Sequence, residues 1–296
     1  MKRIGLLLSA CLLSLIGYSQ TDTTWKTGGN FNLQFSQAAY SNWQAGGTNS
    51  VTTNGLVSLF ANYEKGKWAW KNQLDMAYGL SFQESVYNKT DDRLELNSRV
   101  DRSFRKHWSF SGIFNFRTQF TNGYSEPGTT EDSLKVSGLF APAYTQLGLG
   151  FTYKPNEKFD LFLSPLTAKF TIVNDTRLST MGAFGVEPGE KFRGEGGASL
   201  NATYKTGIVK NVKMQSRLGL FSNYLENPFQ FVDVNGEVLF FLKVNKYISA
   251  NVSFNLIYDH DVKFDTNNDG NADAPRTQFK EVIGVGFVYD FGDVKN

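Results

Sequence analysis

The chain has very little cysteine and proline. Among its 296 residues are seven prolines and a single cysteine, Cys11. Because Cys11 lies in an N-terminal segment that we expect to be removed, the mature chain has no thiol for a disulfide, a catalytic thiolate or a cysteine-based metal site. The sequence therefore excludes those three chemistries.

An excess of charge of one sign is also absent, and so is a long apolar run beyond the N-terminus. The 30 basic and 28 acidic residues leave a net charge of +2, which lacks the basic excess of a nucleic-acid-binding protein. No run after residue 19 approaches the roughly 18 apolar residues that a membrane helix needs. If the mature chain crosses a membrane, it must do so as a closed β-barrel.

Residues 1–19 are organised like a secretory signal peptide. Two basic residues precede an apolar stretch over residues 4–16, and small residues lead up to Gln20. We predict cleavage before Gln20, which leaves residues 20–296 as a single domain. The alternative is a lipoprotein signal at Cys11, but leucines follow that residue where a polar mature start is expected.

Aromatic residues are abundant, at 15% of the chain, and this content favours strands over helices. Apolar and polar residues alternate with a period of two in stretches of about ten to fifteen residues, the length of a tilted strand that crosses a bilayer. In one of them the apolar face comprises Trp68, Trp70, Leu74, Met76, Tyr78, Leu80 and Phe82. The residues between them are polar or small, as in a strand with two different faces.

Twelve such stretches are predicted, at 27–37, 51–64, 67–82, 92–104, 107–120, 139–154, 158–173, 193–205, 209–222, 229–244, 246–260 and 277–291. Their connections alternate between long and short. Long ones are expected near 38–50, 83–91, 121–138, 174–192, 223–228 and 261–276, and short ones at 65–66, 105–106, 155–156, 206–207 and 245–246. This alternation is typical of outer-membrane barrels. The predicted fold is all-β, an antiparallel transmembrane β-barrel of about twelve strands in the bacterial outer membrane.

Four segments support a resemblance to a known family. They are Asn42–Ser50, Asp75–Leu80, Ser164–Lys169 and Gly182–Val186. In this order they resemble the outer-membrane barrels known as domain of unknown function 3078, typical of the Bacteroidetes group of Gram-negative bacteria, over nearly the whole mature chain. The resemblance implies an outer-membrane location. It brings no activity and no functional residues. Pro165, in the third segment, cannot donate to a strand ladder, so a bulge is expected there.

One face of three neighbouring predicted strands is charged. Opposite charges on this face can pair across the sheet inside the lumen. They either line a polar path for solutes or brace a filled interior, because a barrel of twelve strands lies between filled and open barrels. This lumen charge ladder consists of Lys71, Asp75, Arg93, Glu95, Arg99, Asp101 and Arg117.

The last long connection resembles the start of a calcium-binding loop. Oxygen-bearing side chains recur at alternate positions, and Gly270 stands sixth, where an EF-hand loop turns. Arg276 stands where that loop has its bidentate glutamate. The alternative is an ordinary polar loop tip. The predicted Ca²⁺ ligands are Asp265, Asn267, Asp269, Asn271 and Asp273.

Three function classes follow. The working prediction is a barrel for passive passage of small solutes, and the alternative is a closed structural or surface ligand-binding barrel. The third, an outer-membrane phospholipase-like hydrolase, would need His107 or His260 as a base. His107 follows a tight turn on the wrong side for a surface phospholipase, and no serine is spaced to pair with His260, so we expect no enzyme. The expected contacts are outer-membrane lipid and, during biogenesis, the barrel-assembly machinery, and no nucleic acid.

Overall fold

The chain folds into one closed antiparallel β-barrel of twelve strands. A computed structural model describes residues 24–38, 49–83, 86–225, 230–264, 266 and 273–293. The predicted signal peptide lies outside these ranges. The strands are β1 Trp25–Ala38, β2 Ser50–Lys65, β3 Trp68–Gln83, β4 Val86–Arg105, β5 Trp108–Thr118, β6 Ala143–Tyr153, β7 Phe159–Ile172, β8 Phe192–Val209, β9 Val212–Asn223, β10 Val232–Lys243, β11 Ile248–Tyr258 and β12 Gln278–Gly292. The predicted all-β fold, an antiparallel barrel, and its twelve strands are confirmed.

Each strand pairs with its sequence neighbour, and β1 closes the barrel on β12 with Phe35 opposite Val285. The predicted alternation sets the two faces. Trp68, Trp70 and Phe82 are exposed on the outside of β3, whereas Lys71 and Asp75 between them point into the lumen. No helix in the described ranges is long and apolar enough to cross a membrane. We call the end with the short connections the turn end and the opposite end the loop end.

Two predicted connections are wrong. No long loop occupies 83–91, because β4 begins at Val86 and pairs with Gln83. The polar sequence there suggested a loop, but the ladder with β3 continues, and Phe82 and Tyr87 pack with ring centroids 4.7 Å apart. Nor is there a turn at 206–207, since β8 continues to Val209.

The turn after β8 lies at residues 210–211, where Asn211 has φ of 67°. Asparagine is one of the few residues that adopts this left-handed conformation readily. A register shift between Gly207 and Val209 adds a residue to the β8 side of the hairpin. The glycine therefore marks an irregularity in the strand and not its end.

The bulge predicted at Pro165 is present. Leu149 of β6 lies opposite Leu166, but Phe151 lies opposite Leu163, so β7 has an extra residue at this point. A proline fits there because the irregular position needs no ladder N–H. As a result Ser164 and Thr167, three residues apart, lie side by side in the interior, where Thr167 Oγ1 donates to Ser164 Oγ at 2.8 Å.

Two loops fold against each other at the loop end. Between β7 and β8 lies the short helix α1, Thr176–Thr180, and Asp175 caps its N-terminus. A small buried apolar cluster joins this loop to the β5–β6 loop, and Lys135 Nζ lies 2.7 Å from Asp175. The cluster contains Ala141, Val173, Leu178 and Val186.

Candidate functional site in the barrel lumen

The lumen charges near the turn end form a group that we call the turn-side brace. It consists of Lys71, Arg99, Asp101 and Asp160. Lys71 Nζ lies 3.4 Å and Arg99 Nε 3.1 Å from Asp101 Oδ2. The Arg99 guanidinium also donates two hydrogen bonds of 2.6 Å to the two Asp160 oxygens. Since only β5 and β6 separate β4 from β7, this bidentate pair joins walls that lie a quarter of the way around the barrel.

The buried carboxylate of this brace is well satisfied. Asp101 is only 6% exposed, and its second oxygen accepts a hydrogen bond of 2.7 Å from Ser111. Thr152 donates to the same oxygen at 3.4 Å. A charge buried without such partners would strongly destabilise the fold. The hydroxyls and the two cations together make this burial tolerable.

A second group, the loop-side brace, consists of Lys169, Glu195, Asp233 and Asp259. Lys169 Nζ lies 2.6 Å from Asp233, 3.3 Å from Asp259 and 3.5 Å from Glu195. It also lies 5.2 Å from the ring centre of Phe221. The strands β8 and β9 separate β7 from β10, so the lysine joins two non-adjacent strands nearer the loop end.

Two further ion pairs lie towards the loop end. Arg193 Nη2 lies 2.6 Å from Asp261, and its Nη1 donates to the Gly185 carbonyl at 3.0 Å, which ties the β7–β8 loop to the segment after β11. Lys280 of β12 lies 3.0 Å from Asp91 of β4. Three strands separate β12 from β4, so this pair also joins non-adjacent strands.

The rest of the predicted ladder does not pair as expected. Asp75 accepts a hydrogen bond from Ser58 at 2.6 Å, and Glu95 accepts one from Asn97 at 3.0 Å. Within the described ranges neither Arg93 nor Arg117 has an ion-pair partner within 4 Å, and Nε of Arg93 is buried without a hydrogen bond. The structure therefore assembles Lys71, Arg99 and Asp101 and leaves the other four members of the ladder outside the braces.

A group of the polar side chains that face the lumen is buried. Thr152 is 3% exposed and Thr167 2%, although both project into the interior of the barrel. The residues that share this burial are Asn32, Gln34, Asp101, Ser111, Ser164, Thr171, Glu195, Ser199, Ser249 and Asn251. Around these residues the interior is filled by neighbouring side chains.

Three carboxylates gather at the loop end in a way that the sequence analysis missed. Asp233, Asp259 and Asp261 place oxygens within 4.8 Å of one another, as a cation site would. Lys169 already pairs with the first two and Arg193 with the third. Protein cations thus supply the positive charge that this cluster needs.

The predicted calcium loop lies mostly outside the described residues, which exclude Asp265, Asn267, Asp269 and Asn271. Asp273 is described, and its carboxylate accepts hydrogen bonds from Thr266 N at 2.9 Å and Thr266 Oγ1 at 2.7 Å. Asp273, the last of the five predicted ligands, is thus part of a local turn. Calcium binding stays a prediction.

The two histidines each pack against an aromatic ring. His260 stacks on Phe231 with centroids 3.8 Å apart, and its Nδ1 lies 3.4 Å from the Tyr258 hydroxyl. His107 lies edge-on to Tyr153 at 6.4 Å. In the described part of the chain no serine hydroxyl hydrogen-bonds to either ring. The absence of catalysis remains an expectation.

Comparisons with known structures return barrels at low identity. The alignment with an outer membrane channel from Pseudomonas putida F1 covers 93% of this chain and 98% of the channel, with 12% identity and a TM-score of 0.40. For outer membrane phospholipase A from Escherichia coli the coverages are 93% and 94%, with 9% identity and a TM-score of 0.38. For the translocator domain of the autotransporter NalP from Neisseria meningitidis they are 98% and 96%, with 10% identity and a TM-score of 0.37.

Sequence comparison gives a narrower result. No curated protein matches the chain. Residues 35–124 match the model of a family described as a protein of unknown function, domain of unknown function 3078. The match includes two of the four segments that carry the resemblance, Asn42–Ser50 and Asp75–Leu80. The part of the chain from the end of β1 to the start of the β5–β6 loop is therefore similar to that family.

Proposed function

We propose that the chain is an outer-membrane barrel with a closed lumen, which acts through its surfaces and not as an open pore. This is the second of the two barrel functions that the sequence left open. The two braces and the packed polar interior support it. Passive passage of solutes would require a wetted path between them.

The exterior supports the membrane location. A soluble monomer rarely exposes a contiguous apolar patch larger than several hundred Å², whereas a membrane barrel surrounds itself with an apolar band and aromatic girdles. Large apolar side chains are exposed on the outward face around the whole barrel. They include Phe31, Trp68, Trp70, Phe82, Phe110, Leu147, Leu149, Phe279, Ile283, Val285 and Phe287.

One observation carries the proposal of a closed lumen. Ion pairs join non-adjacent strands at two heights, Arg99 with Asp160 near the turn end and Lys169 with Asp233 near the loop end. Between the two heights lie buried polar side chains, among them Ser164 and Thr167 of β7. An ion that passed through would have to break both pairs and enter without its hydration shell, which is costly in a packed interior.

The test is ion conductance of the refolded full chain in planar bilayers. We expect the wild type to show no steady current steps. The variant Arg99→Ala/Lys169→Ala removes the cations of both ion pairs and should show steps. The control Arg105→Ala/Lys106→Ala removes two charges at an exposed turn and should stay silent. Steady conductance of the wild type would overturn the proposal.

A further inference from the structure

The outer surface of β2, β3 and β4 carries a groove near the turn end. It has a volume of about 340 Å³ and is lined by Tyr63, Lys65, Trp68, Ala69, Trp70 and Val100. That volume lies in the range of small-ligand sites. The groove opens outwards, where the proposed function places lipid.

The strand register arranges its lining in two rows. Lys65, Trp68 and Arg102 lie side by side across the three strands and form the cation row. Tyr63, Trp70 and Val100 lie side by side one step further from the turn end and form the aromatic row. The groove runs between these rows, with a cation at each end of the first.

Neighbouring rings hold both rows in place. Trp25 of β1 packs on Tyr63 at 5.3 Å and on Trp70 at 5.7 Å between ring centroids. The Arg102 guanidinium carbon lies 5.6 Å from the Trp68 ring centre. An arginine stacked in this way keeps N–H groups free to bind an anion. The wall is rigid and aromatic, and its rim is positive.

Beyond the aromatic row lies a polar step whose groups satisfy one another. Trp70 Nε1 donates to Ser98 at 2.9 Å, Ser98 donates to Asn72 at 2.7 Å, and Asn72 donates to the Ala61 carbonyl at 3.0 Å. The next row along the strands, further from the turn end, is apolar and consists of Leu59, Leu74 and Leu96. The surface thus changes from cationic to aromatic to polar to aliphatic along the strands.

This order matches one phospholipid in a leaflet. Trp68 and Leu74 are six positions apart, which at about 3.3 Å per residue is roughly 20 Å along the strand. For a strand tilted by about 40° this corresponds to a depth of roughly 15 Å, which lies within one leaflet with its headgroups. We propose that the groove binds a single anionic phospholipid, with its phosphate between Lys65 and Arg102 and an acyl chain over the leucine row. This inference rests on the proposed membrane location.

The test is native mass spectrometry of the full chain in detergent, with phosphatidylglycerol and phosphatidylcholine of identical acyl chains. We expect the wild type to retain one phosphatidylglycerol in preference to phosphatidylcholine. In the variant Lys65→Gln/Arg102→Gln the affinity for phosphatidylglycerol should fall by about fivefold for each cation removed, so the preference over phosphatidylcholine should disappear. The control Lys158→Gln/Lys246→Gln removes two turn-end cations elsewhere and should keep it.

A second measurement needs no variant. Brominated phosphatidylglycerol should quench the tryptophan fluorescence of the wild type more than brominated phosphatidylcholine does, and added salt should reduce the difference. Equal retention of the two lipids, or a preference that survives Lys65→Gln/Arg102→Gln, overturns the site without affecting the closed lumen. Conductance of the wild type overturns the proposed function without affecting this lipid preference.

Discussion

At the scale of single residues, Asp175 shows how a loop at the loop end of the barrel is held. Its Oδ1 accepts a hydrogen bond of 3.0 Å from the Leu178 backbone N–H, and Lys135 donates to its Oδ2 at 2.7 Å. These two hydrogen bonds lower the pKa of the carboxyl below its ordinary value. The ionised form is therefore the one that the folded loop stabilises.

This gives a prediction with a defined pH dependence. Because the pKa is lower in the folded state, the stabilising contribution is present above the unfolded pKa and is lost as the pH falls through the folded pKa. Asp175→Ala should destabilise the folded loop by about 1 kcal/mol at pH 7, as the loss of an N-cap does. Limited proteolysis of the β7–β8 loop at pH 7 and in acid measures the effect.

The matched control is Asp132→Ala, a change in the neighbouring loop that keeps the backbone hydrogen bond from Lys135 N–H to the residue 132 carbonyl and removes a carboxylate without an ion pair to Lys135. It should leave cleavage of the β7–β8 loop unchanged at both pH values. Equal protection of the wild type and Asp175→Ala at pH 7 would show that the cap does not hold the loop.

The residue scale also shows where sequence reasoning stops. Lys71, Arg99 and Asp101 were predicted to pair because they lie on adjacent strands of one hairpin. Asp160 and Lys169 were not predicted; they have opposite parity in the sequence and share the lumen face because the bulge at Pro165 adds a residue between them. Their partners lie 61 to 90 residues away in the chain, and strand count alone does not say which side chains meet across a closed barrel.

At the scale of elements, alternation predicted each strand because a two-faced strand must place one face outside and one inside. The errors fall where a polar residue or a glycine suggests a loop but the hydrogen-bonded strand pairing continues. The polar start of β4 forms a hairpin above the barrel, and β8 continues past a glycine to a turn at Asn211. The bulge at Pro165 is confirmed, because a residue without an N–H cannot take part in regular strand pairing but can occupy an irregular position within a strand.

The β11–β12 connection carries the prediction of calcium binding. If Asp265, Asp269 and Asp273 bind Ca²⁺, the ion should raise the midpoint temperature of unfolding. At a hundredfold excess over the dissociation constant, binding adds about 2.7 kcal/mol to the free energy of unfolding. Thermal unfolding with Ca²⁺ and with Mg²⁺ measures this, and Mg²⁺ should have less effect because it demands a tighter octahedral site.

Asp265→Asn/Asp269→Asn should abolish the calcium shift, and Glu131→Gln/Asp132→Asn in the β5–β6 loop should keep it. The arginine at the twelfth position predicts weak affinity, since it replaces the bidentate carboxylate of a full loop. A wild type that unfolds at the same temperature with and without millimolar Ca²⁺ would leave the loop as a polar tip.

At the scale of the whole molecule, the proposed closed lumen is consistent with the difference between the outer and inner faces of the barrel. Its outer face is apolar, so polar side chains must be placed inside, and charges inside must be paired or hydrogen-bonded. A ring of twelve strands is narrow enough for a lysine or arginine on one wall to reach a carboxylate on another. The same ion pairs that satisfy these charges therefore also fill the interior.

The packed lumen predicts how an introduced thiol should behave. The mature chain as predicted has no cysteine, so each single-cysteine variant reports one position. Thr167 is 2% exposed and faces the interior, and Thr167→Cys changes its volume little. This thiol should react with a water-soluble maleimide at least about tenfold more slowly than Ser133→Cys in an exposed loop, because reaction needs thiolate in contact with water.

Mass spectrometry of the labelled, refolded chain measures both rates, and labelling in urea confirms that each thiol is competent. Adding Lys169→Ala to Thr167→Cys should speed labelling, since it removes the lumen cation two residues away. Labelling of Thr167→Cys at the rate of the loop thiol, in an otherwise wild-type barrel, would mean that water fills the lumen. The braces would then line an open path.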